Sequence, residues 1–391
     1  MPFRTYMQWA LHDPEHGAYG SGRLQVGPRG DFATSPSLGP DFAALLAPQI
    51  AQWLQALPTE VPLALIETGP GEGQLALQLA QELSNGWPAL AARTTLVLVE
   101  PNAGMAERQR QRLAGSPLPC RWLSFAALAD APVQGVMLAH EVLDALAVER
   151  IVWDGAIWRQ QVVALHEGHD AQPSLRLEPG EPLEPQAAAP LVALGLVQPG
   201  PQRPAGWTTE LHPELAPWLS AAAAGLAAGH LLVVDYAHEA WRYYAPQRRN
   251  GTLLAYRRQQ ASSNPLLEPG HWDLTAHLCL EPLLNAAAAS GWSPLGQRRQ
   301  GEALLALGLA QRLHRLQQSP RATSAAAGLP MEANLAALLR RREALLRLVD
   351  PAALGDFRWI AFHRNPPGPA ADAASPKPDC LPLFLQDPPL P

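Results

Sequence analysis

The chain has 391 residues, with 29 Lys and Arg against 35 Asp and Glu, a net charge of −6 and a pI near 6.1. This balance, without any dense basic block, excludes a protein built to grip duplex nucleic acid, whose affinity rests on neutralising phosphates. Hydrophobic residues make up 47% but aromatics only 6%, so alanine and leucine supply the core and helices outweigh strands.

Residues 12–40 read as loop, punctuated by Asp13-Pro14, His16-Gly17, Gly20, Gly22, Gly27-Pro28 and Gly30. Asp41 to Leu57 is helical, with Phe42, Leu45, Leu46, Ile50 and Leu54 on one face. From residue 63 strands alternate with helices: strand 63–67, helix 73–83, strand 95–100, helix 104–114, strand 135–139. That alternation predicts βαβ units around a parallel sheet, an α/β fold. Residues 149–165 read as a hairpin turning at Asp154-Gly155. The Pro- and Gly-rich stretch 168–205 is expected to be an exposed insertion, within an interruption of the domain at about 149–212. A helix near 213–228, a strand at 230–236, helices at 279–290 and 331–348 and a last strand at 356–363 follow. Arg340-Arg341-Arg342 reads as the solvated face of its helix, and the proline-rich tail 365–391 as disordered. The apolar run Leu219 to Val234 falls short of the about 20 residues a bilayer demands, so no stable membrane insertion is expected. Three scattered cysteines and the absence of a signal-peptide core point to the reducing cytosol, a cytoplasmic location.

The most telling segment is Leu63-Ala-Leu-Ile-Glu67-Thr-Gly69-Pro-Gly71-Glu-Gly73, followed at once by a helical pattern. A buried strand, a glycine turn and a helix start form the layout of a nucleotide cradle, because a residue without Cβ lets the backbone lie flush against a ligand. A dinucleotide fingerprint needs its third glycine where this chain has Gln74. The acid–x–G–x–G–x–G spacing is instead the form used by S-adenosylmethionine enzymes. Glu100 ends the next strand 27 residues beyond Gly73, where a carboxylate can accept both ribose hydroxyls. His140-Glu141-Val-Leu-Asp144 follows another strand, which puts Glu141 and Asp144 beside the ligand pocket of an open α/β sheet. Acids there also serve as helix caps, a reading that stays open for Asp144. Asp235 ends a further strand, and Asp273 and Thr275 read either as catalytic groups or as turn and cap residues.

Taken in order, Gly30-Asp-Phe-Ala-Thr34-Ser35-Pro36, Glu67 to Gly73, His140 to Leu146, Asp235-Tyr236, Gly251 to Arg257 and Pro269 to Thr275 resemble the MidA family of methyltransferases. The similarity runs from about residue 6 to 364, with departures from the family's usual residues at Glu72, His140, Ala147, Ala237 and Gln259. The resemblance implies a Rossmann-like class I methyltransferase domain over 61–364, an N-terminal lid and helix over 1–60, and S-adenosyl-L-methionine as cofactor. It further implies that Glu67 lies near the methionine end of the cofactor and Glu100 on the ribose, with Gly69, Gly71 and Gly73 forming the cradle and Thr34 and Ser35 on a closing lid. The family's eukaryotic member methylates arginine during assembly of mitochondrial complex I. That implies a protein substrate, a respiratory-complex subunit among the targets, with Glu141 orienting the guanidinium and Asp144 or His140 as a second acid/base group. A small-molecule methyltransferase and a non-catalytic scaffold retaining the fold stay open as alternatives, as does a homodimer.

Overall fold

In the computed structural model the described residues are 1–24, 27, 30–31, 33–167, 173–197, 203–318, 331–365 and 381–389, without the side chains of 331–334. The glycine-turn segment begins with strand β1 (Leu63–Thr68), every residue of which is buried. Leu63 and Leu65 enter one apolar core while Ala64 and Ile66 enter another on the opposite face. Alternate side chains of a strand point to opposite faces, so a run that is apolar throughout belongs at the centre of a sheet covered on both sides. Strands β2 (Thr94–Val99), β3 (Cys120–Trp122) and β4 (Val133–His140) join it in parallel.

An antiparallel module interrupts the alternation: β5 (Glu149–Trp153), β6 (Trp158–His166), β7 (Ser174–Pro182) and β8 (Thr208–Leu211), ordered β7-β6-β5-β8. The turn from β5 to β6 is held by Asp154, whose Oδ1 accepts the N–H groups of Ala156 and Ile157, both at 2.8 Å. Strand β9 (Leu226–Asp235) then returns to the main sheet beside β4. The seven strands lie in the order 293–299, 358–364, β9, β4, β1, β2, β3. Arg358–Arg364 is antiparallel to both its neighbours. The strand order reverses between β1 and β4, and ligands of open α/β sheets bind at such a point, beyond the strands' carboxyl ends.

The structure adds to the expectations above and corrects some of them. Residues 3–12, ahead of the stretch read as loop, form helix α1, burying Phe3, Tyr6, Met7, Ala10 and Leu11 at helical spacing. The stretch expected as an exposed insertion is largely exposed but ordered, supplying β7 and the helix Pro185–Ala193, with Leu191 its buried residue, while 168–172 and 198–202 lie outside the described residues. Arg341 is no merely solvated residue, because it grips Asp41 at the start of α2 (Asp41–Gln55) with two bonds of 2.7 Å. Burial works against Asp41, but Arg341 and Arg312 still draw its carboxyl below the ordinary value. Finally, residues 381–389 of the tail are ordered, whereas 366–380 lie outside the described residues. Phe384 is fully buried against Trp53 and Trp359, with ring centroids 6.3 and 5.6 Å away. Among the described residues no helix is long and apolar enough to cross a membrane.

The buried tail aromatic yields an expectation. Phe384→Ala is expected to lower the free energy of unfolding by about 3 kcal/mol, the small end for a buried phenylalanine because the segment can undock. Urea denaturation checks it, and an unchanged midpoint would mean that the segment adds nothing to the core.

Candidate active site

The glycine turn leaves β1 in a backbone that ordinary residues avoid. Gly69, Gly71 and Gly73 have φ of 56°, 51° and 75°. A Cβ at Gly69 would also stand 3.0 Å from Val142 Cγ2. Gly73 caps helix α3 (Gln74–Gly86), whose first-turn N–H groups face the turn. Glu67 is buried, and burial raises its carboxyl to about 8 despite a hydrogen bond from the Ala76 N–H. Its Oε2 has no hydrogen-bond partner among the described residues. At the end of β2, the two oxygens of Glu100 accept from Asn102 N at 2.8 Å and Gln109 Nε2 at 3.0 Å. Burial raises that carboxyl too. Gln109 also donates to the Gly71 carbonyl at 2.8 Å and accepts from Trp122 Nε1 at 3.0 Å. One buried amide therefore fixes the ribose-acid position against the glycine turn. Glu72, a departure from the family pattern, faces Arg108 and Arg112 at 3.5 and 3.8 Å.

The second half of the site is the turn after β4. Glu141 has φ 54°, a left-handed backbone that costs a non-glycine residue about 1–3 kcal/mol. Asp235, at the end of β9, holds the turn: its Oδ2 accepts from the N–H groups of Val142, Leu143 and Asp144 at 3.3, 2.9 and 3.2 Å. The Glu141 carboxylate accepts the Ser35 N–H. The Ser35 hydroxyl faces Gln300 instead, with Gln300 Nε2 3.1 Å away, and Thr34 caps the short helix Ser35–Leu38.

Around this turn lies a cleft of about 760 Å³ lined by Glu141, Asp144, Asp273, Asp31, Thr275, Arg347 and the phenols Tyr19, Tyr236 and Tyr256. Tyr19 donates to Asp273. Burial, followed by the nearby Asp235, lifts Glu141 and Asp144 well above the carboxylate range. Burial also pushes Asp273 and Asp235 up to about 7. Carboxyls crowded in a dry site hold protons because each charge disfavours the others. Among the described residues no Lys or Arg forms an ion pair with Glu141, Asp144 or Asp273.

Glu141 and Asp144 thus share the cleft, whereas His140 does not line it. His140 packs between Phe42 and Phe357, with ring centroids at 5.3 and 6.2 Å, and burial lowers it to about 3. An imidazole held neutral in an aromatic wall is a weak base at pH 7, and its Nδ1 stands 3.4 Å from Glu141 Oε1. Sequence reading did not reveal Gln109 or Tyr19. Gln109 is a buried polar residue on a mostly hydrophilic helix, and only that oddity could have marked it. Among the described residues no cluster of His, Cys, Asp and Glu could hold a metal ion.

The residues present fit S-adenosylmethionine. An orphaned buried carboxylate at Glu67 suits an ammonium group, a bare glycine turn suits close backbone approach, and an oriented Glu100 suits a ribose diol. This fold and site define a methyltransferase dependent on that cofactor. The sequence model of a family of S-adenosyl-L-methionine-dependent methyltransferases matches residues 45–298, and the chain belongs to that family. It is 27% identical over 333 residues to the mitochondrial protein arginine methyltransferase NDUFAF7 homolog of Drosophila melanogaster, covering 78% of this chain and 72% of that one. It is likewise 27% identical over 337 residues to NDUFAF7 of Xenopus tropicalis, covering 79% and 72%. Among solved structures, a Burkholderia thailandensis protein bound to S-adenosyl-homocysteine superposes with a TM-score of 0.76. The two chains share 27% identity, with 100% of this chain and 91% of that one covered.

The buried Glu67 makes stability depend on pH. With a folded-state value of about 8 against an ordinary 4.5, the folded protein keeps a proton that the unfolded chain loses, so stability falls as pH rises through that window. Glu67→Gln is expected to gain on wild type by on the order of 3 kcal/mol between pH 5 and 8. Chemical denaturation across that range checks it, and a constant gap would show that Glu67 ionises normally.

Proposed function

We propose that the enzyme transfers the methyl group of S-adenosylmethionine to the guanidinium of a protein arginine. The observation that carries this reading is the acceptor cleft. Asp144 and Asp273 are buried and Glu141 is half-buried among phenols, and among the described residues none of the three forms an ion pair with Lys or Arg. Acids without an ion-paired Lys or Arg leave room for a cation, and guanidinium, planar and charged at all working pH, meets carboxylates through paired hydrogen bonds. The phenol rings add faces on which that flat cation can stack. Similarity to the NDUFAF7 proteins, named as protein arginine methyltransferases, supports a protein acceptor. The family resemblance makes a respiratory-complex subunit the first target to test.

When bound, S-adenosylmethionine supplies an electrophilic methyl on a sulfonium centre. The chain's own contribution is alignment, which can be worth about 7–11 kcal/mol. Glu141, fixed at its left-handed position by the Asp235 carboxylate behind it, orients the guanidinium so that one nitrogen faces the methyl. The nitrogen so oriented would take the methyl, and the carbon–sulfur electron pair would stay on the cofactor's sulfur. One proton then leaves the methylated nitrogen for the carboxylates, with Asp144 adjacent to Glu141. The methylated guanidinium keeps its charge, and the proton passes on to water.

Two measurements test this. Labelled methyl transfer followed by mass spectrometry should find methylarginine; label on lysine, carboxylate or a metabolite would overturn the assignment. Glu141→Gln is expected to lower transfer by about 10²–10⁴-fold while leaving S-adenosyl-homocysteine affinity within about twofold; loss of that affinity would move Glu141 to the cofactor side. In addition, kcat/KM for an arginine peptide should climb as pH rises through 7, where Asp273, held up to about 7, becomes the anion that attracts the cation. Asp273→Asn should flatten that rise, and an identical profile in the variant would remove Asp273 from acceptor binding.

A further inference from the structure

Beside the acidic acceptor cleft lies a second cleft, of about 710 Å³, lined by Arg23, Arg257, Arg258, His271, Gly30 and Asp31. The two clefts share Asp31, and one β-hairpin, Leu254–Arg257 and Gln260–Ser262, forms the wall between them. Side chains of a strand alternate between faces. Accordingly Tyr256 lines the acidic cleft while Arg257 lines the basic one. The turn of the hairpin divides in the same way, with Gln259 in the acidic cleft and Arg258 in the basic.

That turn has an unusual backbone. Arg258 and Gln259 have φ of 49° and 63°, left-handed positions that two-residue hairpin turns normally give to Asn or Gly. The strain is offset from the facing loop: Asp31 Oδ1 accepts the Arg258 N–H at 3.0 Å and the Asp31 carbonyl accepts the Gln259 N–H at 2.8 Å. Strained residues held in place by surrounding bonds cluster at functional sites. Here it presents an arginine side chain where glycine would sit with less strain.

The charges leave an anion to be supplied. Arg257 is paired with Glu268 at 2.5 Å, and Arg23 donates to the His16 carbonyl at 3.1 Å. Among the described residues neither Arg23 nor Arg258 has an ion pair. With Glu268 on Arg257, Arg23 and Arg258 are left facing the cleft, and a carboxylate meets guanidinium through paired hydrogen bonds. Resting on the arginine reading above, we propose that this cleft binds the carboxylate of an Asp or Glu flanking the target arginine. The enzyme then selects an arginine–acid pair, the cation seated in one cleft and the anion in the next.

The test uses the full chain loaded with S-adenosyl-homocysteine and peptides of a neutral host sequence carrying a central Arg. The flanking positions hold Glu, Gln or Lys, and dissociation constants are read by fluorescence. The Glu peptides are expected to bind about tenfold more tightly than the Gln peptides, and the Lys peptides more weakly still, an advantage that shrinks as salt is raised. Arg23→Glu combined with Arg258→Glu should abolish or reverse the order while S-adenosyl-homocysteine affinity stays unchanged. Arg258→Gly, which suits the left-handed backbone, should weaken the preference without loss of thermal stability. Equal binding of Glu and Gln peptides, or a preference that survives the charge reversal, would overturn the proposal. A parallel series with the central Arg replaced by Gln separates the two readings. If the acid preference persists and the missing arginine makes no difference, the basic cleft stands and the arginine assignment falls.

Discussion

A carboxylate removed from water must find donors, and at the end of β9 Asp235 finds four. Its Oδ2 collects the N–H groups of Val142, Leu143 and Asp144 while Oδ1 takes that of Tyr236. Charge-assisted bonds of this kind are about twice as strong as neutral ones. They hold the chain after β4 in a turn that would otherwise relax, because Glu141 within it sits at a left-handed φ. Three features of the acceptor side follow from this: the aim of Glu141, the position of Asp144, and the seat of Val142 against Gly69. The donors lower the proton affinity of Asp235, yet burial outweighs them and leaves it near 7. Its field in turn raises Glu141 and Asp144. Asp235 thus positions the turn and adds to burial, the larger cause, in setting the acidity of the cleft.

The cofactor side is organised by a neutral group instead. Gln109 is fully buried and ties Glu100, the Gly71 carbonyl and Trp122 into one hydrogen-bonded unit. An amide can donate and accept at once, which a carboxylate or ammonium cannot. A charged residue at 109 would either repel Glu100 or leave Trp122 without an acceptor. The two halves meet at Gly69 and Val142, so a shift in the glycine turn reaches the acidic turn by direct contact.

The sequence made the centre of the sheet legible because its signals are local. The apolar run of β1, the glycines and the acid at position 100 declare themselves without knowledge of the rest of the chain. The same holds for the Asp154 hairpin, where turn chemistry is written in two residues. β7 was hidden by Pro179, Gly180 and Pro182, which read as loop; the strand lies at the edge of its sheet, where proline is tolerated. Phe384 was hidden for another reason: a single aromatic in a proline-rich tail gains order only through Trp53 and Trp359, far away in the chain. The acceptor cleft draws on residues 19, 31, 141, 144, 256 and 273. Their meeting is a product of topology, so the sequence exposed the acids singly but not as a cluster. His140 shows the converse, a residue in a telling motif that the fold turns into an aromatic wall.

The antiparallel strand Arg358–Arg364 has a consequence for how the protein is made. It lies between β9 and strand Ser293–Arg299, and the latter pairs with nothing else in the sheet. During synthesis, at about 5–20 residues per second, the edge of β9 therefore stands open until the chain has grown some 120 residues further. That edge, Leu231-Leu-Val-Val234, is apolar and unbranched by charge, the kind of edge that recruits foreign strands. The fold thus closes from the nucleotide half outward, and the nascent chain has most need of chaperone cover between the emergence of β9 and the arrival of its final partner.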